Sequence, residues 1–227
     1  MELSGRLRAI AEMVPYTETV ADIGCDHGKL AVWLVQQGRA KRVVCGDISI
    51  KSLDKARRLA EAKGLSDRIA ARAGSGLGIL AAGEADAAVI AGMGGELIVS
   101  ILKADMDKAP DTLVLSCHTS TDVLRSWLVE NGYCFEDEAL VEEKGHFYPI
   151  MRLVRGQSPA LTVVEREFGP VLLKSKPEAL RRLVEKRIRK AKDIRGLLER
   201  AGSPRKAELL TEAEDKLTQY EEVLRCL

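Results

Sequence analysis

Two patterns of hydrophobic and polar positions alternate along the first part of the chain. Short apolar runs predict β-strands, whereas segments with apolar residues three or four positions apart predict helices. The predicted strands cover residues 20–23, 42–45, 69–73, 87–91, 112–115, 133–141 and 148–154. The helix-period segments lie at residues 3–14, 28–37, 50–63 and 96–103.

This alternation predicts an α/β fold for residues 1–156. Strands that are separated by helices are joined by right-handed crossovers and form a parallel sheet with helices on both faces. The last two strands have a short connection, so we expect them to pair as an antiparallel hairpin at the edge of the sheet. The prediction is a doubly wound, mostly parallel sheet with an antiparallel edge hairpin.

Residues 157–227 have a purely helical pattern. Residues 155–159 (Arg-Gly-Gln-Ser-Pro) are typical of a linker, and Pro177 suits the first turn of a helix. Apolar residues then recur three and four apart, at Leu180, Val184, Ile188, Ala191, Ile194, Leu198 and Ala201, and again at Leu210, Ala213, Leu217, Tyr220, Leu224 and Leu227. The turn-forming residues 202–204 (Gly-Ser-Pro) separate the two stretches, which predicts an antiparallel helical hairpin, or coiled-coil arm. The arm either packs on the core and on itself or binds a partner.

Composition limits the class of protein. The chain has 227 residues with 46% hydrophobic side chains, which suffices for one sizeable core and an appendage. It has no apolar stretch of about 18 residues that would span a membrane, and its N-terminus lacks the apolar core of a secretory signal. The five cysteines are far apart and form no Cys-x-x-Cys motif, so they indicate neither a disulfide framework nor a zinc site. We therefore expect a cytoplasmic protein without a metal.

The net charge of +1 conceals an uneven distribution. Residues 1–157 carry 19 basic and 22 acidic side chains, whereas residues 158–227 carry 16 basic and 12 acidic ones. Within the predicted arm, residues 181–195 hold eight basic side chains against two acidic ones, and residues 208–222 hold six acidic against one basic. Segregation of this kind indicates a charged partner or internal pairing.

Candidate chemistry begins where the first predicted strand ends, in the segment Asp22-Ile23-Gly24-Cys25-Asp26-His27-Gly28. In open parallel sheets, ligands bind at the carboxyl ends of strands where the topology reverses. Gly24 permits a tight turn, and Gly28 permits close approach of the following helix. Asp26 stands where a dinucleotide-binding loop needs its second glycine, and a carboxylate there repels phosphates. A ligand with an ammonium or sulfonium group fits better, which disfavours NAD and favours S-adenosylmethionine.

Two further strand ends extend the predicted site. Asp47 follows Gly24 by 23 residues, about the distance at which an acidic side chain accepts hydrogen bonds from a ribose. Its alternative role is to cap the helix that begins near Ser49. After the third strand, Gly74-Ser75-Gly76 forms either a turn beside the expected adenine pocket or an ordinary loop.

The fourth strand ends in Ala91-Gly92-Met93-Gly94-Gly95, where bare backbone lies at the expected meeting point of a methyl donor and its target. Enzymes that methylate exocyclic amines grip the amine hydrogens here with an Asn or Asp followed by prolines, and this sequence has no such motif. The segment therefore favours a nucleophile with a lone pair, such as a ring nitrogen. A glycine-rich helix start that contacts no ligand is the alternative.

Four motifs together are similar to those of the bacterial tRNA adenine-22 N1-methyltransferases: A-D-I-G-C-D-H-G-K-L, G-D-I, G-L-S-D-R-I and A-G-M-G-G-E-L-I. The resemblance covers residues 3–154 by motif and the tail by architecture. It implies a Rossmann-like class I methyltransferase domain at 1–156, a coiled-coil arm at 157–227, S-adenosylmethionine as cofactor, and N1 of a tRNA adenine as target. It also implies that the cofactor is surrounded by Asp22, Gly24, Asp26, His27, Asp47, Gly92 and Met93.

Neighbouring residues complete the predicted site. The cofactor-binding set further includes Cys25, Gly28, Ile48, Gly74, Ser75, Gly76 and Ala91. Asp26 is also the candidate catalytic residue, because we expect it beside both the sulfonium and the incoming base.

One segment departs from that family, whose members often have Gln-Pro at the end of the fifth strand. Here the strand ends in Leu115-Ser116-Cys117-His118-Thr119-Ser120. Cys117, with its pKa lowered by His118, is a candidate nucleophile for cytosine-C5 methylation, although an isolated cysteine at a strand end is more often a packed apolar group. The sequence is also compatible with a small-molecule methyltransferase that has a dimerising arm, and with an inactive module that binds the cofactor or RNA.

The basic helix favours RNA as the partner. With heptad position a at Val184, the side chains of Arg182, Lys186, Arg189 and Lys192 fall at f, c, f and b, away from the hairpin seam. These four residues are the predicted contacts with tRNA, and a merely solvated surface is the alternative. No membrane contact is expected, and a monomer is favoured over a dimer.

Overall fold

The computed structural model describes residues 2–200 and 205–227, and the chain divides into two compact units, Met1–Leu161 and Thr162–Leu227. Ala201 and the predicted turn at 202–204 lie outside the described residues. The assignment of separate roles to residues 1–156 and 157–227 stays a prediction. None of the helices in the described part of the chain has both the length and the hydropathy of a membrane span.

Within the described residues, which begin at residue 2, a seven-stranded sheet forms the centre of the first unit. Its strands are β1 (Thr17–Ile23), β2 (Ala40–Asp47), β3 (Ile69–Ala73), β4 (Ala87–Met93), β5 (Thr112–Cys117), β6 (Tyr133–Glu143) and β7 (His146–Arg155). The α-helices of this unit are α1 (Gly5–Met13), α2 (Lys29–Gln36), α3 (Ile50–Ala62), α4 (Gly95–Ala104) and α5 (Thr121–Glu130).

The strand order along the sheet is β3-β2-β1-β4-β5-β7-β6. The edge strand pairs β5·β7 and β6·β7 are antiparallel, and the other neighbouring pairs are parallel. The predicted doubly wound, mostly parallel sheet with an antiparallel edge hairpin is therefore confirmed. The order reverses between β1 and β4, so the carboxyl ends of these strands flank the crevice where such sheets bind ligands.

Alternate residues of the central strands face two separate helical layers. Val20 of β1 packs in one cluster with Ile10 of α1 and Leu34 of α2. Its neighbour Ala21 packs in the other cluster, with Ile98 of α4. Both faces of the sheet are therefore covered, so a ligand of this unit is expected at the strand ends.

The helix α5 is a feature that the sequence pattern does not predict. Its inward face carries Arg125 beside the apolar Leu124 and Leu128. The Arg125 side chain is 1% exposed, and its Nη2 donates to Oε1 of the fully buried Glu138 at 3.0 Å. A charge in the middle of the inward face interrupts the apolar periodicity, so the helix lacks its usual signal.

The second unit is helical. It consists of α6 (Val163–Phe168), α7 (Pro170–Ser175), α8 (Glu178–Arg200) and α9 (Lys206–Cys226). The two long helices pack together, and their buried residues are Leu180, Val184, Ile188, Ala191, Ala213, Leu217, Tyr220 and Val223. The predicted seam is wrong at Ile194, which is 42% exposed, and at Leu224, because a spacing of three after Tyr220 brings Val223 inward instead. With six residues each, α6 and α7 are too short to give a periodic signal.

Candidate cofactor and substrate site

A cleft of about 400 Å³ opens at the carboxyl ends of β1 and β4. Helix α1 contributes Arg6, Leu7 and Ile10 to its lining. Predicted cofactor-binding residues supply much of the rest: Asp22, Gly24, Cys25, Asp26, His27, Ala91 and Gly92. The structure thus brings the segments that follow the first and fourth strands into one cleft, at the point where the strand order reverses.

The turn after β1 is held in a single shape by left-handed residues and backbone hydrogen bonds. Gly24, Asp26 and Gly28 have φ angles of +77°, +48° and +66°. The N–H groups of Gly24 and Cys25 both donate to the carbonyl of Gly46, at 2.8 and 3.2 Å. A Cβ atom at Gly28 would lie 2.8 Å from the Cβ of Ala56 in α3, so a glycine is required where the two helices approach.

Asp47 fastens this turn to the end of β2. Its Oδ2 accepts from the Asp26 N–H at 3.2 Å, and its Oδ1 accepts from the Ser49 N–H at 2.8 Å. Ser49 itself caps α3, because its hydroxyl accepts from the Ser52 N–H at 3.3 Å. The alternative that Asp47 is the helix cap is therefore wrong. Each carboxylate oxygen keeps a lone pair that can accept another hydrogen bond.

Asp22 is a buried carboxyl at the end of β1. It is 5% exposed, and its Oδ2 has no hydrogen-bond partner among the described residues. Burial, and then the nearby charge of Asp47, raise the pKa of Asp22 from 3.8 to about 7. A buried carboxyl with an unpaired oxygen fits a ligand that brings a positive charge, and S-adenosylmethionine has both a sulfonium and an ammonium group.

Asp26 and His27 lie on the open side of the cleft. Their side chains are 70% and 44% exposed, and His27 Nδ1 lies 2.5 Å from Asp26 Oδ2. Lys55 Nζ lies 3.1 Å from His27 Nε2. Because a lysine ammonium donates, the imidazole accepts at Nε2 and donates at Nδ1, which holds Asp26 in place while leaving its carboxylate accessible.

Gly24 after β1 and Gly92 and Gly95 near the end of β4 have positive φ angles or close contacts that favour glycine. Gly92 has a φ of +81°, and the pairing of β4 with β5 is irregular between Ala91 and Met93. A Cβ atom at Gly24 would collide with the Met93 side chain, and one at Gly95 would collide with the Ser120 carbonyl. These glycines let the segments after β1, β4 and β5 approach one another.

Several predicted residues lie outside the lining of the cleft. Ile48 is 79% exposed beside Asp47. The segment Gly74–Gly76 follows β3, and the Gly74 N–H donates to the Asp47 carbonyl at 3.2 Å. Cβ atoms at Gly74 and Gly76 would lie 2.6 Å from Ile79 and 2.9 Å from Ile101, so both glycines serve packing in this ordered turn.

Cys117 does not have the surroundings of a nucleophile. It is fully buried, its Sγ lies 3.2 Å from Thr121 Oγ1, and burial raises the pKa of the thiol above its usual value of 9.0. Cys117 is the last residue of β5 and lies in the core, whereas His118 follows the strand and is exposed. The hypothesis that His118 activates Cys117 is therefore wrong.

The predicted RNA contacts on α8 are exposed: Arg182, Lys186, Arg189 and Lys192. Arg182 Nη1 lies 3.7 Å from Glu178 Oε1, and Lys192 Nζ lies 3.4 Å from Glu221 Oε1 of α9. Arg189 makes no ion pair with a residue that the structure describes. Part of the charge segregation in the second unit is thus satisfied between its own helices.

Sequence reasoning missed two residues beside the cleft, Arg6 and Tyr148. Arg6 belongs to an amphipathic helix and Tyr148 to β7, the strand between β5 and the edge strand β6, and neither position carries a motif. Their guanidinium and ring lie 4.7 Å apart, which is a contact of the folded chain without a local signal. Within the described residues, no cluster of His, Cys, Asp and Glu could hold a metal ion.

Comparison with known proteins identifies the family. A family model described as a methyltransferase domain matches residues 3–151. The tRNA (adenine(22)-N(1))-methyltransferase of Bacillus subtilis (strain 168) is 37% identical over 162 residues, which span 70% of this chain and 68% of that protein.

Solved structures agree with this similarity over nearly the whole chain. The B. subtilis M1A22 tRNA methyltransferase TrmK is 31% identical with a TM-score of 0.89, covering 98% of this chain and 99% of that one. Streptococcus pneumoniae Sp1610 in complex with S-adenosyl-L-methionine is 30% identical with a TM-score of 0.86, covering 98% of this chain and 100% of that one. The chain therefore belongs to the tRNA (adenine(22)-N(1))-methyltransferase family.

Proposed function

We propose that this chain transfers a methyl group from S-adenosylmethionine to N1 of adenine 22 in tRNA. The observation that carries the proposal is Asp22, a buried carboxyl with an unpaired oxygen in a cleft at the reversal of strand order. A bound cation would neutralise this carboxyl, whereas dinucleotide phosphates would be repelled by it and by Asp26. The tRNA substrate and the position of the adenine come from the names of the relatives.

Two carboxylates hold the cofactor in this proposal. When bound, S-adenosylmethionine supplies an electrophilic methyl group on a positively charged sulfur. Asp22 offsets the positive charge of the ligand, and Asp47 accepts hydrogen bonds from the ribose hydroxyls. The other proposed contacts are Gly24, Cys25, Asp26, His27, Gly28, Ile48, Gly74, Ser75, Gly76, Ala91, Gly92 and Met93.

Methylation of adenine N1 requires no general base in the protein. The lone pair of N1 lies in the plane of the ring, so no base has to remove a proton before N1 reacts. Catalysis then rests mainly on holding N1 in line with the methyl group. The product ring is cationic until N6 gives up a proton to solvent, and a nearby carboxylate stabilises that charge. We assign this role to Asp26, whose side chain is accessible from the open side of the cleft.

The exposed basic residues of α8 are the proposed contacts with tRNA phosphates: Arg182, Lys186, Arg189 and Lys192. Contacts of this kind add affinity without selecting a nucleotide, because every nucleotide carries a phosphate. Selection of the adenine therefore belongs to the cleft.

Analysis of the methylated nucleoside tests the proposed function. The protein is incubated with methyl-labelled S-adenosylmethionine and an unmodified tRNA transcript, and the digested nucleosides are identified by mass spectrometry. We expect labelled 1-methyladenosine from a transcript with adenine at position 22 and none from a matched transcript with guanine there. Labelled 5-methylcytosine, or equal labelling of both transcripts, would contradict the proposal.

A further inference from the structure

Three side chains from distant parts of the sequence meet beside the cleft: Arg6 of α1, His118 after β5 and Tyr148 of β7. The guanidinium carbon of Arg6 lies 4.7 Å from the centre of the Tyr148 ring. The ring of His118 meets the same tyrosine edge-on, with centroids 5.4 Å apart and an interplanar angle of 80°. We call these three residues the aromatic cluster.

The aromatic cluster adjoins the β4 side of the cleft. Arg6 and Gly92 both line the cleft, and a Cβ atom at Gly92 would lie 3.9 Å from His118 Nε2. The His118 N–H donates to the Met93 carbonyl at 3.0 Å, which fixes the histidine next to the end of β4. The proposed ribose acceptor Asp47 lies at the end of β2, on the other side of β1. The aromatic cluster thus lies on the β4 side of β1, opposite the proposed ribose acceptor, where the target base can approach the cofactor.

The chemistry of the aromatic cluster suits a nucleobase and its sugar-phosphate. Exposed aromatic rings bind extruded bases by stacking, and His118 is exposed while Tyr148 is half-buried. Arg6 lies over the tyrosine ring, and its Nε is buried without a hydrogen-bond partner among the described residues. A buried N–H donor without a partner is stabilised when an acceptor binds to it. A nucleotide supplies such acceptors in its ring nitrogens, hydroxyls and phosphate.

We propose that the aromatic cluster is the binding site for the target nucleotide: the adenine stacks on the exposed ring of His118 and meets the nearly perpendicular ring of Tyr148 edge-on, and Arg6 donates to an acceptor of the same nucleotide. This inference rests on the proposed function and adds to it the residues that receive the base. An adenine within the folded tRNA has to leave its base stack to enter the cleft, which costs free energy. Stacking on a protein side chain offsets part of that cost.

A double-mutant cycle between the protein and the base tests the contact. Binding of intact tRNA and of a tRNA with an abasic nucleotide at position 22 is measured for the wild type and for Tyr148→Leu and His118→Ala. For intact tRNA we expect His118→Ala, which removes the stacked ring, to bind about 5- to 150-fold more weakly. Tyr148→Leu removes the edge-on contact and should bind about 2- to 12-fold more weakly. For the abasic tRNA, each variant should bind as tightly as the wild type, because the stacked base is missing in both.

Two controls separate stacking from general damage. Tyr148→Phe keeps the ring and should bind intact tRNA within about twofold of the wild type, since the edge-on contact needs no hydroxyl. His146→Ala removes an exposed histidine from the same strand, whose ring centroid is 6.5 Å from that of Tyr148, and should leave binding unchanged. Calorimetry should give wild-type affinity for S-adenosylmethionine in every variant.

Equal losses with intact and abasic tRNA would overturn the inference, and so would an equal loss in His146→Ala. Unchanged binding of intact tRNA by Tyr148→Leu and His118→Ala would overturn it as well. These outcomes leave the proposed function standing if the wild type still forms 1-methyladenosine. Absence of that product in the wild type would instead contradict the proposed function itself.

Discussion

The cleft of the first unit and the helices of the second unit present charge in opposite ways. Asp22 is buried in the lining of the cleft, and Asp47, at the end of β2, accepts hydrogen bonds from two backbone N–H groups of the neighbouring turns. On α8, Arg182 and Lys192 are exposed, and each has a glutamate side chain as its partner. The charges of the cleft are therefore fixed by the fold, whereas those of α8 lie on side chains that can rearrange.

This difference suits two kinds of ligand. A small cofactor makes few contacts, so each group has to be in place before the ligand arrives. A tRNA makes many phosphate contacts, and their sum depends on the number of charges and on the salt concentration. Single substitutions should therefore have large effects in the cleft and small, salt-dependent effects on α8.

The largest effect is expected for Asp26→Asn. Asparagine tolerates the left-handed backbone that Asp26 adopts, with φ +48°, so the turn should keep its shape. Loss of the carboxylate should lower the single-turnover rate about 100-fold at saturating cofactor and tRNA, because the cationic product ring loses its counter-charge. Because Asp26 is also a proposed cofactor contact, calorimetry measures any loss of cofactor affinity separately, and the saturating cofactor keeps that loss out of the rate. A single-turnover rate near that of the wild type would remove Asp26 from the chemistry.

A smaller loss, in cofactor affinity, is expected for Asp47→Ala. The ribose hydroxyls and two backbone N–H groups lose their acceptor, which should weaken S-adenosylmethionine binding by roughly 10- to 100-fold. Asp54→Ala is the matched control, since Asp54 is an exposed aspartate of α3 that pairs with Arg57 at 2.9 Å. Calorimetry on both folded variants makes the comparison. Equal affinities would confine Asp47 to holding the turn after β1.

The parts of the cleft that depend on local signals can be predicted from the sequence. The alternation of apolar residues gives β3 at its observed bounds, 69–73, and places Asp22 and Asp47 at strand ends. The glycines at 24 and 28 mark a turn because positive φ angles favour glycine, and both residues have them.

The remaining features depend on contacts across the fold. The buried charge of Arg125 conceals α5, since the partner that satisfies it lies on a different element. Arg6 and Tyr148 meet without any spacing rule that links them. Cys117 and His118 show the converse. They are neighbours in sequence, but Cys117 is buried at the end of β5 and His118 is exposed beyond it, so they do not act as a pair.

A pH effect of about tenfold is expected from Asp22, whose pKa is raised to about 7. The carboxyl is mostly protonated below pH 7 in the free protein, while a cationic ligand favours its ionised form. Cofactor binding then releases a proton, and affinity should fall about tenfold from pH 7 to about pH 5.5. The ammonium group of the ligand stays charged over this range.

Asp22→Asn is the control for this pH effect, because the amide has the same shape and does not titrate. Its cofactor affinity should be weaker than that of the wild type at pH 7 and flat with pH. Calorimetry in buffers of different ionisation enthalpy measures the released proton directly. A wild-type affinity that stays constant down to pH 5.5 would mean that Asp22 does not face the charge of the ligand.

The smallest effect is expected on α8, for Arg189→Gln. Arg189 is exposed and makes no ion pair with a described residue, so its full charge is available to a phosphate. Its loss should reduce the salt slope of tRNA binding by about 1 and the affinity by about two- to threefold at physiological salt. Lys216→Gln removes an equal charge from the exposed surface of α9, outside the proposed contact set, and should leave the slope unchanged. Filter binding over a series of salt concentrations compares the two variants. Equal slopes in both would mean that tRNA responds to the overall charge of the unit and not to a defined surface of α8.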